Sequence, residues 1–209
     1  MLGLIKKDLL MVKSNLKIIV IILIVFGIMA LQGQSDLSFV PALTSVMVFM
    51  STFSYDEYNK FDAFAISLPN GRNNVVKSKY ISSLVLIIAS VAITMIASIG
   101  IGYIKHSLDW EYILSTSVGC IFACVIVESV IFPLIFKFGV EKGRIGLFIG
   151  TFAFSSIIAI VAKTKPFKVS SSFISFLESN LPVILIVTSI LLIAISYFIS
   201  NKVYSKKEF

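Results

Sequence analysis

Six apolar runs, each close to the length of a bilayer crossing, dominate the chain and decide what it can fold into. They extend from Leu16 to Leu31, Leu37 to Ser54, Ile81 to Ile104, Tyr112 to Phe136, Ile145 to Ala162 and Leu181 to Ser200. A hydrocarbon core about 30 Å thick takes roughly 20 residues of α-helix. Stretches such as IIVIILIVFGIMAL and VILIVTSILLIAI are apolar on every face, whereas a barrel strand alternates apolar and polar residues over about ten positions. The expected fold is therefore all-α, a polytopic membrane protein with six transmembrane helices. With 57% of its 209 residues hydrophobic and 14% charged, a water-soluble globule is excluded. A nucleic-acid-binding reading of the net charge of +7 falls with it.

That charge is instead a statement about orientation. If the six spans alternate, fourteen of the 18 Lys+Arg fall on one side: Lys6, Lys7, Lys13 and Lys17, then Lys60, Arg72, Lys77 and Lys79, then Lys137, Lys142 and Arg144, then Lys202, Lys206 and Lys207. Lys105, Lys163, Lys165 and Lys168 fall on the other. Basic loops stay in the cytoplasm, so both termini are expected there, with the first span retained and not cleaved as a signal peptide.

Residues 1–15 place Leu2, Ile5, Leu9 and Val12 on one helical face, which predicts an amphipathic helix in the cytoplasmic interface ahead of a single transmembrane domain over 16–209. The external segment 163–180 carries Phe167, Phe173, Ile174, Phe176 and Leu177, too apolar for a solvated loop and too short for a span. A re-entrant or interfacial helix around Ser172 to Ser179 is expected there. The cytoplasmic loop 55–80 is the largest. Asp56 and Glu57 suit the positive start of a helix, along which Tyr58, Phe61, Ala65 and Leu68 recur at spacings of three and four before Pro69-Asn70-Gly71 stops it. Such a short amphipathic helix, with aromatic residues that little else in the cytoplasm would cover, predicts a docking surface.

Further signals lie within the spans. Ser117, Cys120, Cys124 and Glu128, spaced three, four and four, form one small and polar stripe that should face into the bundle or a dimer seam. Glu128 has two readings: an acid lining a cavity for a cationic amphipathic substrate, or a protonated, hydrogen-bonded acid holding helices together. No third Cys or His joins Cys120 and Cys124, so no metal site is expected, and His106 alone supports no catalytic triad. Gly146 and Gly150 read as close helix packing. No G-x-x-x-x-G-K-[ST] phosphate loop occurs, so neither ATP binding by that motif nor enzymatic activity is expected of this chain.

Tyr55-Asp56-Glu57, Ser67-Leu68-Pro69, Arg72, Val76 and Lys79-Tyr80 together resemble the cytoplasmic loop of ABC exporter permeases of the type-2 class, in particular the compact six-helix Gram-positive subfamily similar to the phenol-soluble modulin exporter permeases. Pro133, Lys137-Phe138-Gly139, Glu141-Lys142 and Arg144, after the fourth span, resemble the same proteins, while Asn70-Gly71 and Asn73-Asn74 depart from them. The resemblance implies a permease that works with a second copy or a homologous permease and with two separate ATPase subunits, which would hold the ATP and Mg; this chain would bind no cofactor. It implies that Asp56, Glu57, Tyr58, Phe61, Ala65, Leu68, Pro69 and Arg72 form the ATPase-coupling element. Lys137, Phe138, Gly139, Lys142 and Arg144, in the loop 137–144, would form a second contact. The cargo would be amphipathic: a peptide, a lipid-like compound or an antimicrobial. The alternatives are an ion-coupled transporter or channel centred on Glu128, and a non-transporting accessory or immunity protein.

Overall fold

The computed structural model describes residues 2–32, 37, 40–67, 71–106, 108–146, 148–150, 156 and 171–206, with the side chains of 2, 62, 66, 171–180 and 182 set aside. Helices α1 (Leu2–Leu31), α2 (Val40–Tyr58), α3 (Phe61–Ile66), α4 (Gly71–Ile104), α5 (Trp110–Phe138) and α6 (Ser171–Ser205) make up the fold, and no strand occurs among the described residues. The many Ile and Val residues would favour strands in water, but in lipid each backbone N–H and C=O needs a partner within its own segment, which imposes helix.

Among the described residues, four helices are long and apolar enough to cross a membrane: Gly3–Leu31, Gly71–Ile104, Trp110–Phe138 and Val183–Ser205. They correspond to the first, third, fourth and sixth expected spans. The second coincides with α2, whose 19 residues measure about 28 Å but end in the polar Ser54-Tyr55-Asp56-Glu57-Tyr58, which leaves it less apolar than those four. The fifth, Ile145 to Ala162, lies mostly outside the described residues, as do 163–170. Two expected boundaries take a different form. Residues 1–15 and the first span are one uninterrupted helix from Leu2, and the segment expected as a separate element around Ser172 to Ser179 is the first part of α6. Nothing in Ser14-Asn15 breaks α1: Ser14 Oγ and Asn15 Nδ2 both donate to the carbonyl of Met11 within the helix.

Helix ends follow local chemistry. Asp109 caps α5, its carboxylate accepting from the Tyr112 N–H at 3.1 Å, with Glu111 in the first turn and Lys137 in the last. Pro133 lies inside α5 and cannot donate to the carbonyl of Ser129 four residues back. That carbonyl instead accepts from Ser196 Oγ of α6 at 2.8 Å, so the lost helical bond becomes an inter-helix one.

α4 touches every other helix, α5 packs along α6 and against α2 and α4, and α1 leans on α2 and α4. The core is an edge-to-face chain of rings. Phe132 meets Phe49, Phe53 and Tyr80 at centroid distances of 5.5, 5.4 and 4.8 Å, and Phe136 meets Phe53 and Tyr204 at 5.4 and 5.3 Å. Tyr80 hangs its hydroxyl between Ser196 (2.6 Å) and Ser200 (2.9 Å), joining α4 to α6. The outward faces are apolar. Val20, Ile21, Ile24 and Ile28 of α1 and Val183, Ile186 and Ile190 of α6 are exposed, a surface for lipid and not for water.

Candidate functional site at the charged end of the bundle

Asp56 and Glu57 do not begin a helix. Both lie in the last turn of α2, which runs on through Tyr58; the Asn59 N–H still donates to the Tyr55 carbonyl (3.0 Å), and the break comes at Lys60, in the left-handed region at φ 48°. A carboxylate at a helix C-terminus faces the negative end of the dipole and has to find compensation elsewhere. Asp56 finds it in two lysines, Lys7 Nζ at 2.5 Å and Lys79 Nζ at 2.7 Å. Lys79 also pairs with Asp8 at 2.9 Å, and Lys7 lies 3.6 Å from Asp8. Two cations and two anions thus form a closed neutral set joining α1, α2 and α4. The side chains of Asp8, Asp56 and Lys79 are only 3%, 8% and 4% exposed, so none of them can fall back on water. Buried ions gain little net stability from pairing, because desolvation offsets the attraction, but losing one partner costs much more. The set therefore fixes geometry above all. Ser82 Oγ adds a contact to Asp8 at 3.4 Å, and Lys79 Nζ lies 4.7 Å from the Phe53 ring.

Glu57 points the other way. Its carboxylate accepts the Val140 N–H at 2.9 Å, where helical backbone resumes over 140–146, the polarity a helix start favours. Gly139 makes the approach possible: at φ +82° it ends α5, and a Cβ there would lie 3.0 Å from Glu57 Oε1. The two segments expected as separate contacts are thus tied together within the chain. Arg72, expected in the coupling element, donates to the Ser205 carbonyl at 2.5 Å and caps the C-terminus of α6. Lys137, Phe138, Lys142 and Arg144 are exposed, with Lys137 Nζ over the Phe138 ring at 4.9 Å.

The expected stripe of Tyr58, Phe61, Ala65 and Leu68 is split by the turn at Lys60. Ala65 is buried, and Phe61 is half-buried with Lys7 Nζ 3.6 Å above its ring. Tyr58 is 86% exposed, and it is joined by Phe64 at 60%, a residue the periodicity did not select. Restarting the helical phase at Phe61 is what turns Phe64 outward; only the conformation of Lys60 reveals it. Leu68 and Pro69 lie outside the described residues.

The stripe on α5 faces inward. Cys124 is fully buried with Ser45 Oγ of α2 at 3.8 Å from its sulfur, Cys120 and Ser117 are half-buried, and Glu128 is 6% exposed with Ser83 of α4 against its carboxyl. Ser117 Oγ donates to the Ile113 carbonyl. Glu128 Oε1 and Ser129 Oγ have no hydrogen-bond partner among the described residues. No group of three or more His, Cys, Asp or Glu able to hold a metal ion occurs among the described residues. The charged set and the α5 stripe meet neighbouring residues of α4: Ser82 touches Asp8, and Ser83 stands against Glu128.

A family model described as ABC-2 family transporter protein matches residues 3–205. Comparisons with curated proteins and with solved structures give no match.

Proposed function

The chain belongs to the ABC-2 family of transporter proteins and is a multi-pass membrane permease of an ABC transporter, partnered by an ABC ATPase subunit; from that premise we propose that it serves an ATP-driven exporter of amphipathic cargo. Two ATPase subunits and a second permease copy complete the assembly, in a bacterial cell membrane with both termini in the cytoplasm. The bias of basic residues supports that orientation, and so does the even number of apolar runs in the sequence, six with Leu37 to Ser54 and Ile145 to Ala162. ATP and Mg belong to the ATPase. The kinship with the compact Gram-positive exporters and with phenol-soluble modulin permeases rests on the loop motifs around Tyr55 to Tyr80 and Pro133 to Arg144.

One observation carries the coupling role. The α2–α3 turn offers Tyr58 and Phe64 to solvent, yet the same few residues are fastened to α1 and α4 through Asp56, to the 139–140 corner through Glu57, and beneath Lys7 through Phe61. A partner that pushes on the two rings moves several helices at once. Headgroup binding alone needs lysines and gives no reason for such a fastening. For the cargo, the hydroxyls, thiols and rings of the α5 stripe and its neighbours suit an amphipathic molecule better than a sugar, which asks for many hydrogen-bonding groups. We assign Glu128 to holding α5 against α4, because it is enclosed within a single chain and beside Ser83.

Co-expression with an ABC ATPase that lacks its own membrane domain tests this reading. The expected result is a co-purifying complex whose ATP hydrolysis is stimulated by the permease, with stimulation lost in the Tyr58→Glu, Phe64→Glu double variant. A purified chain that conducts ions without ATP would replace the exporter reading with the channel one.

A further inference from the structure

A groove with a volume of about 100 Å3 runs along the bundle where α1, α2 and α4 meet. Its α1 wall is Val12, Leu16, Ile19 and Leu23, a stripe about 16 Å long at 1.5 Å per residue. The facing walls carry four hydroxyls, and each is already turned back onto its own helix. Thr44 donates to the Val40 carbonyl at 2.9 Å, Ser45 to Ala42 at 3.1 Å, Ser90 to Ile87 at 2.9 Å, and Thr94 to Val91 at 3.0 Å. Hydroxyls bonded in this way have their protons committed, so the groove as built accepts hydrocarbon and recognises nothing polar.

Its length and its two ends narrow the occupant. A hydrocarbon core of about 30 Å gives each leaflet about 15 Å, close to the length of the groove. The far end is closed by Ala30, Leu37 and Val40, with Leu23 packed against them. Lys13 follows Val12 at the near end, and Lys17 follows Leu16 about 6 Å further along the α1 wall. Both are exposed, and neither enters an ion pair among the described residues, unlike Lys7. Their stems can lie along the groove rim while the ammonium groups reach the headgroup layer.

We infer that this groove holds one acyl chain of an anionic membrane lipid, with the headgroup bound by Lys13 and Lys17. The inference depends on membrane insertion and not on the ATPase partnership, so either stands if the other fails. The site gives α1 a lipid-dependent contact with α2 and α4 beyond the buried charges.

Native mass spectrometry of the full chain, released from nanodiscs of equal phosphatidylglycerol and phosphatidylcholine, tests it. The expected result is one retained phosphatidylglycerol, favoured roughly ten- to thirtyfold over phosphatidylcholine, as two lysines near a headgroup provide. Lys13→Gln with Lys17→Gln brings that ratio close to one, while Lys13→Arg with Lys17→Arg keeps it. Ala89→Leu fills the groove from an exposed lining position and removes the retained lipid with helix content and melting unchanged. Wild-type retention in Ala89→Leu, or an unaltered ratio in the Gln pair, overturns the proposal. So does a non-lipid amphiphile retained in the lipid's place.

Discussion

At Lys79 the chain sets one buried ammonium between two carboxylates, Asp8 at 2.9 Å and Asp56 at 2.7 Å. Replacing it by Met strands one excess negative charge in the bundle, and we predict a loss of about 3–5 kcal/mol in unfolding stability. Adding Asp8→Leu restores charge balance with Lys7 and Asp56, and thermal melts should show the double variant recovering much of that loss. Recovery absent from the double variant would mean that the four groups do not act as one set. At Gly139, φ +82° and the close carboxylate of Glu57 leave no room for a side chain. Gly139→Ala is therefore expected to cost about 1–3 kcal/mol, read from the same melts. Glu128→Gln keeps the shape and the hydrogen-bonding ability of the acid, so transport of a cationic amphipathic cargo should be unchanged. A clear fall in transport would return Glu128 to the translocation path. None of these pairings could be read from the sequence, because their partners are brought together from distant positions: 71 residues separate Asp8 from Lys79, and 83 separate Glu57 from Val140.

Among the elements, the long helices were legible because hydrocarbon solvent permits little else for an all-round apolar run. The coupling segment was legible only in part. Its aromatic content and its position between two helices could be read, but its phase depends on Lys60 adopting a left-handed conformation, which no periodicity announces. One consequence is that the acids taken for the tip of a docking helix are internal fasteners, and the exposed face belongs to Tyr58 and Phe64. A second belongs to α1. Because Lys7 and Asp8 sit in the first turns of an uninterrupted helix and reach Asp56 and Lys79, removing residues 1–9 takes both partners away from a buried Asp–Lys pair. Such a truncation should lower the melting temperature and abolish stimulation of the ATPase together. A truncated chain that stimulates like the full one would show that α1 is no part of the transmission.

For the whole molecule, the net charge of +7 is distributed in a way the sequence alone left open. Lys7 and Lys79 are neutralised inside by Asp8 and Asp56, while Lys60, Lys77, Lys137, Lys142 and Arg144 remain on the surface. The end of the bundle that meets the ATPase is in this account aromatic and basic, and it is stiff because the charges beneath it close on one another. The most direct measurement places a single thiol at the centre of that surface, Tyr58→Cys in a chain carrying Cys120→Ala and Cys124→Ala, reconstituted with the ATPase. The account predicts that the thiol reacts freely in the permease alone, is protected once the ATPase binds, and stays closed to a membrane-impermeant reagent added outside intact cells. Equal labelling with and without the ATPase, or labelling from outside, contradicts it.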